Sequence, residues 1–467
     1  MAHIETLDGI RHIHLIGIGG IGVSALAPML AHQGYLVTGS DPARNEVTDR
    51  LRAQGIGVFH THEAGNVEGA DLIVYSSAIK PDNPEIIAAH EKHIPLWHRA
   101  RMLGYLMQRQ RGIVVSGAHG KTTVTSMITK LLLDTGFDPT AFIGGDLPFI
   151  GGNSRIGKGE WVIAEGDESD GSFVHLKPEI AIVNNIDADH LDFYENMDAI
   201  QQSFHRFLEN VPPQGWIVGS ADSAQVSDVI QDFSVQKLTY GFHESAELRA
   251  LDYHADSAGL RCDVELRGKP LGRLSLQVSG RSNCHNALAA VAVGQILEIP
   301  FPEVKNSLYT FSGVHRRMEW KGQAKGITVL DDYAHHPTEI RATIQALRDR
   351  FQNRLIVVFQ PHLYSRTLNF LHEFGAAFTG IDLLILADIY PAREKPVPGV
   401  TGEVLLGPVR QSDTAVEYIA HLSDIVPHLE QIIRDGDVVI TMGAGDVWKV
   451  GEQLLQRLST QEKGELP

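Results

Sequence analysis

Short runs dominated by Val, Ile and Leu recur from one end of the chain to the other, at residues 13–16, 72–75, 113–115, 161–164, 180–183, 355–359, 383–386 and 438–441. A strand with one wet face alternates apolar and polar residues. A run that is apolar almost throughout belongs to a strand covered on both faces, as in parallel sheets with helices on either side. Helical patterns fill the intervals between these runs, so an α/β fold of doubly wound sheets is expected. A chain of 467 residues is too long for one core, and about 150 residues per domain gives three domains. The runs sort accordingly into residues 1–108, 109–313 and 314–467, the first break falling in the polar stretch 108–111 before a new strand and glycine-rich turn. Within the middle group, residues 220–276 read as a strand-rich appendage. The polar tail 459–467 is expected to fray.

The formal net charge of −17 sets the long-range field against polyanions, so neither nucleic acid nor an anionic membrane is expected as a partner, and any anionic ligand must be caught locally. Two cysteines, Cys262 and Cys284, exclude a disulfide framework and fit a reducing compartment. No apolar run approaches the ~18 residues needed to cross a bilayer, and Glu5 and Asp8 stand where a signal peptide would be basic. The expected location is the cytoplasm, with no membrane insertion.

Two glycine loops carry the chemistry. In the first, Gly17, Gly19 and Gly22 match G-x-G-x-x-G after a strand and before an apolar helix, with Gly20 between them. Such a turn brings main-chain amides and a helix start up to a diphosphate. Asp41, closing the next strand, stands where a carboxylate could accept a ribose hydroxyl. On these residues alone a nicotinamide-dependent dehydrogenase is the default, and a bare strand–helix turn the alternative. The second loop, Ser-Gly-Ala-His-Gly-Lys-Thr-Thr at 116–123, lies between the strand 113–115 and a helix expected over 124–133. It lacks the first glycine of G-x-x-x-x-G-K-[ST], whose place Val115 takes. Gly117 and Gly120 nevertheless let amides, including those of Ala118, His119 and Thr123, line phosphates. Lys121 supplies a charge to the outer phosphates, and the Thr122 hydroxyl can ligate Mg²⁺. A nucleoside triphosphate with Mg²⁺ is therefore expected on this loop.

Further carboxylates and histidines follow apolar strands. Glu165, Asp167, Glu168 and Asp170 come after 161–164, and His190 after 180–183. At the carboxyl ends of parallel strands they would lie beside the phosphate loop, where oxygen ligands suit Mg²⁺; for His190 a helix cap is the competing reading. Residues 329–339, with Asp332, His335 and His336, and residues 359–367, with Arg366, form a third cluster. It reads equally as an acid–base or metal set and as a polar turn capping a helix at Thr338.

Taken in order, His-Leu-Ile-Gly-Ile-Gly-Gly-Ile-Gly at 14–22, Ser-Ser-Ala-Ile at 76–79, Gly-Ala-His-Gly-Lys-Thr-Thr at 117–123, Ala-Glu-Gly-Asp-Glu-Ser-Asp at 164–170, Asp-Ala-Asp-His-Leu-Asp at 187–192, Gly-Val-His-Arg-Arg at 313–317, Asp-Asp-Tyr-Ala-His-His-Pro-Thr-Glu at 331–339 and Phe-Gln-Pro-His at 359–362 resemble the Mur ligases over essentially the whole chain. These are ATP-dependent enzymes that add amino acids to the nucleotide-linked muramic acid precursor of the bacterial cell wall. The resemblance implies a Rossmann-like N-terminal domain for the UDP-linked substrate, a central P-loop ATPase-type domain and a Rossmann-like C-terminal domain on the amino-acid side. It moves Gly17, Gly19, Gly20, Gly22, Asp41 and Ser76 from a dinucleotide to UDP. It implies ATP contacts at 117–123 and at Asn283, Asn286, Arg317 and Asp332, metal ligation by Thr122, Glu165 and His190, and amino-acid contacts at His335, His336 and Arg366. Lys121, His190 and Arg366 become the catalytic candidates. Members that act on later residues of the peptide carry a lysine soon after the His190 motif, and residues 190–215 contain none. The implied substrates are therefore UDP-N-acetylmuramate and L-alanine, taken by a monomer or homodimer, with a tripeptide-adding recycling ligase as the alternative. Ser282, Ala118, Met318 and Leu363 depart from common family residues, without removing a phosphate or metal group.

Overall fold

A computed structural model describes residues 6–189, 193–256, 259–392, 394–412 and 414–464, with side chains to 461. The chain divides into two compact units. One comprises Met1–Leu251, Val264–Gly272 and His285–Leu308; the other comprises Asp252–Asp263, Arg273–Cys284 and Tyr309–Pro467. Three sheets form the layers, and in each the apolar runs are inner strands.

The first sheet has five parallel strands in the spatial order Gly57–Phe59, Leu36–Ser40, His12–Ile16, Leu72–Tyr75, Leu96–His98. Its strand order reverses between His12–Ile16 and Leu72–Tyr75, and the first glycine loop leaves the sheet at that switch point, where α/β sheets open a crevice for ligands. The second sheet has ten strands. Its centre runs Trp216–Ser220, Ile180–Val183, Arg111–Ser116, Trp161–Glu165, Thr140–Leu147, all parallel, with Gly152–Arg155 antiparallel at one edge. At the other side it passes through Gln236–Gly241 into three long strands between Leu248 and Leu276. Strand Arg111–Ser116 is the switch point here, and the second glycine loop leaves from it.

The third sheet is ordered Glu319–Ala324, Ile327–Asp332, Val438–Met442, Leu355–Phe359, Leu383–Leu386, Val416–Tyr418, antiparallel only between the first two. Its alternating side chains separate into two cores. Leu355, Val357 and Phe359 pack with Ile344 and Phe374 on one face, while Ile356 and Val358 pack with Ile425 and Leu454 on the other. Covering both faces explains why the strand shows no polar alternation, and each buried Val or Ile contributes about 1.5–3 kcal/mol.

Two local expectations change. The helix expected over 124–133 is Lys121–Asp134, so Lys121, Thr122 and Thr123 form its first turn, where a helix leaves amides unbonded. The tail does not fray at 459: the last helix is Trp448–Gly464.

Candidate functional site

The first loop is built by close approach. Gly17, at φ +76°, donates its amide to Ser40 O at 2.8 Å, and the turn carrying Ser76 and Ile79 lies over it, so that a Cβ on Gly17 would sit 3.2 Å from Ile79 Cδ1. Gly20 caps the short helix Ile21–Ser24. Asp41 is turned onto the loop, accepting the amides of Gly19 at 3.0 Å and Ala43 at 2.9 Å. A Cβ on Gly22 would meet the Arg99 guanidinium at 3.1 Å. Arg99 in turn is ion-paired with Asp167, which despite burial holds that carboxyl well below the usual range. The motif of the first sheet and the acidic segment after Trp161–Glu165 thus meet through one guanidinium.

The second loop is clamped by amides that sequence reasoning did not single out. Asn185 accepts the His119 amide at 2.8 Å and donates to the His119 carbonyl at 2.9 Å, as does Asn184. Asn184 also donates to Asn286 at 3.0 Å and accepts the Tyr240 hydroxyl at 2.6 Å. Gly120, at φ +82°, has no room for a side chain, because a Cβ would lie 2.5 Å from Asn184 Nδ2 and 2.6 Å from Asn286 Oδ1. The visible signal was the pair of amides ending strand Ile180–Val183, but nothing in the sequence says that a loop 66 residues away needs them. Asn286 is brought to this loop. Asn283 bonds Ser279 O at 2.7 Å in the other unit.

Behind the loop, Thr122 Oγ1 donates to Glu165 at 3.0 Å, and the Gly144 amide donates to the same carboxylate at 2.9 Å. Burial pushes the Glu165 carboxyl up from its ordinary value, against the pull of Lys121 and Thr122. A buried carboxylate sharing its oxygens with a hydroxyl is a hard oxygen donor set, so these residues fit Mg²⁺. Lys121 is buried, which disfavours its charge, but Glu168, Asp167 and Glu165 outweigh burial and hold the ammonium above its usual pKa. His119 pairs with Asp187 at 3.1 Å. Thr123 is buried in the helix, and Ala118 donates to Asn185 O at 3.3 Å. His190 lies outside the described residues.

In the other unit, the carboxyl ends of Ile327–Asp332 and Leu355–Phe359 carry a second cluster. Asp332 accepts the amides of Met318 at 2.8 Å and Ala334 at 2.7 Å, and burial pushes its carboxyl up to about 6 against the opposing charge of Arg317. Arg317 lies over the Tyr333 ring and 3.7 Å from Glu339. His335 faces His362 at 5.5 Å between ring centroids, and His362 contacts Arg366 at 3.2 Å and stacks on Tyr390. The two adjacent histidines separate. His336, rather than Thr338, caps the helix Pro337–Arg350, in a capping box with Glu339, and packs on Phe370. Tyr390 was not anticipated; its place beside His362 comes from a parallel bridge that no local pattern encodes. Leu363 is buried at φ +68°, a backbone region unusual for a branched side chain and found mostly where the surroundings impose it.

Comparison with known proteins gives a consistent outcome. Three family descriptions match in succession: the Mur ligase family catalytic domain over residues 12–111, the Mur ligase middle domain over 115–294, and the Mur ligase glutamate ligase domain over 316–445. The UDP-N-acetylmuramate–L-alanine ligase of Syntrophus aciditrophicus is 45% identical over 454 residues, 97% of this chain and 95% of that protein. The enzyme of the same name from Salinibacter ruber is 45% identical over 464 residues, 98% of each. Among solved structures, the UDP-N-acetylmuramate-alanine ligase of Thermotoga maritima superposes with a TM-score of 0.83 at 29% identity, covering 97% of this chain and all of that one. A murein peptide ligase from Psychrobacter arcticus superposes at 0.73 and 25% identity, covering 96% and 98%.

Proposed function

The chain belongs to the Mur ligase family, and from that premise we propose that it joins L-alanine to the lactyl carboxylate of UDP-N-acetylmuramate using ATP and Mg²⁺, in the cytoplasm, as a step of peptidoglycan precursor synthesis. The observation that carries this reading is the loop 117–123, with two glycines whose side-chain space is filled by its own clamp, a buried lysine, and the Thr122–Glu165 pair behind it. A nicotinamide reading of the first loop leaves all of these unexplained. The 45% identity to enzymes named for L-alanine supports the amino acid.

In the reaction, the γ-phosphoryl group of ATP passes to the lactyl carboxylate, giving an acyl phosphate. The alanine amine then attacks the acyl carbon, and the tetrahedral intermediate expels phosphate. Charge gathers on phosphoryl oxygens in the first step and on the carbonyl oxygen in the second. Amides at 120–122, at the start of the helix, and the Lys121 ammonium stabilise such charge, while the amides of Ala118 and His119 are taken by Asn185. Thr122 and Glu165 would hold Mg²⁺, with His190 as a further ligand; bound there, the ion would neutralise phosphate charge. The first loop, Asp41 and Ser76 are assigned to the UDP part, Asn283, Asn286, Arg317 and Asp332 to ATP, and His335, His336 and Arg366 to the amino acid. The division into 1–108, 109–313 and 314–467 belongs to the same proposal. The test is ADP and phosphate release with Mg²⁺, ATP and UDP-N-acetylmuramate. L-Alanine should drive it, with L-serine and glycine poorer. Faster release with a preformed tripeptide would assign the chain to recycling instead.

A further inference from the structure

Lys121 does not reach outward from its loop. Its Nζ donates to the carbonyl oxygens of Gly117 at 2.7 Å and Ala118 at 3.2 Å, and lies 2.9 Å from both carboxylate oxygens of Glu168. The two side chains are 13% and 3% exposed. The neighbouring carboxylates are engaged elsewhere, Asp167 with Arg99 and Glu165 with Thr122 and Gly144. The Glu168 backbone is fixed by the Tyr194 hydroxyl, which donates to its carbonyl at 2.6 Å, and by the Gly171 amide at 2.9 Å. A buried ammonium with three protons is thus satisfied entirely from within the protein: two carbonyls of its own loop and one oxyanion.

A phosphate of ATP is also an oxyanion and needs the same donors. We propose that Glu168 is an internal substitute for phosphate on Lys121, so that nucleotide binding is an exchange of one oxyanion for another and Glu168 sets the affinity for the triphosphate. Glu168 is then a positioning residue, acting through Lys121. The inference rests on the reading of residues 117–123 as the triphosphate loop. Its physical content is a cost: each binding event breaks a buried charge-assisted contact before the phosphate contact forms, and removing the competitor lowers that cost.

The test is calorimetric titration of the full chain with MgATP in the absence of the other substrates. Glu168→Gln should bind about tenfold more tightly than wild type, as expected for loss of one competing charge-assisted contact. In turnover the KM for ATP should fall while that for L-alanine stays put. In a Lys121→Ala background the same substitution should change the Kd by less than about twofold, because the competition runs through the lysine. Glu168→Asp keeps a buried anion, and so guards against a folding defect, but draws the carboxylate back; it should tighten binding by a smaller factor. Equal or weaker binding by both Glu168 variants overturns the inference. A tenfold gain that persists without Lys121 also overturns it, since Glu168 would then repel the phosphates directly. Wild-type protein that does not bind MgATP, or Lys121→Ala protein that binds it as well as wild type, removes the triphosphate reading itself. Binding that requires Lys121 but gains nothing from Glu168→Gln removes only this inference.

Discussion

Lys121, Arg366 and Asp332 show how burial turns a single side chain into a functional commitment. Lys121 is buried and donates to the carbonyls of its own loop, so Lys121→Ala removes a positioned charge that water cannot replace. Turnover should drop by about two to four orders of magnitude, and near-normal ADP release would refute the loop assignment. Arg366 is 7% exposed and touches His362; a guanidinium held there suits the carboxylate of an amino acid through two parallel bonds. Arg366→Ala should raise the KM for L-alanine by about one to two orders of magnitude and spare that for ATP, given ~1.5–3 kcal/mol for a charge-assisted pair. The reverse pattern would place Arg366 in the nucleotide site. Asp332 makes a prediction about stability. Its carboxyl is raised by burial to about 6, so the folded chain prefers it protonated. The stability this contributes is complete below the unfolded pKa of about 3.9 and is lost as pH rises through about 6. Relative to Asp332→Asn, which does not titrate there, wild type should lose about 2–3 kcal/mol of unfolding free energy between pH 4 and pH 7. A pH-independent difference in denaturant titrations would show that the carboxylate is not held in an apolar setting.

At the scale of elements, the sequence was readable wherever a segment's reason is local. Strands such as Leu355–Phe359 and Ile180–Val183 fall where the apolar runs predict them, because burial on both faces leaves no polar residue to confuse the pattern. The edge strand Gly152–Arg155 has no apolar run at all, and only its antiparallel partner Thr140–Leu147 makes it a strand. The helix Lys121–Asp134 starts ahead of the apolar pattern over 124–133, since Lys-Thr-Thr is polar and reads as loop; the left-handed Gly120 before it sets where the helix begins. Supports from distant sequence were the least visible. Gly144 is an instance: its amide bonds Glu165, and a Cβ at that position would overlap the carboxylate. No turn pattern calls for a glycine inside strand Thr140–Leu147, so the requirement emerges only when the two strands are side by side. Gly144→Ala should therefore displace Glu165 from Thr122. The Mg²⁺ concentration for half-maximal activity should rise about tenfold, with about 1–3 kcal/mol of lost stability from overpacking. An unchanged metal titration with lowered stability would leave Gly144 a packing residue and separate Glu165 from metal binding.

For the molecule as a whole, the governing quantity is a net charge of −17 set against two anionic nucleotide ligands and an amino acid with no net charge. Arg99 beside Gly22 and Lys121 in the second loop do not offset this at long range, because Arg99 is paired with Asp167 and Lys121 with Glu168. Capture is consequently short-range, by amides and, on the exchange proposed above, by Lys121, while the approach is opposed by the protein's field. Screening should relieve that opposition. The Debye length falls from about 30 Å at 0.01 M to about 8 Å at 0.15 M ionic strength, so the repulsion shrinks to the immediate surface while buried contacts persist. Over that range, at constant free Mg²⁺, kcat/KM for ATP and for UDP-N-acetylmuramate should rise by about two- to threefold. The zwitterionic L-alanine feels no net long-range force, so its KM should not change, which makes it the internal control. A fall in kcat/KM for the two nucleotides with added salt would mean that local positive potential at the loops outweighs the total charge, and that Arg99 and Lys121 are less fully neutralised by Asp167 and Glu168 than their contacts imply.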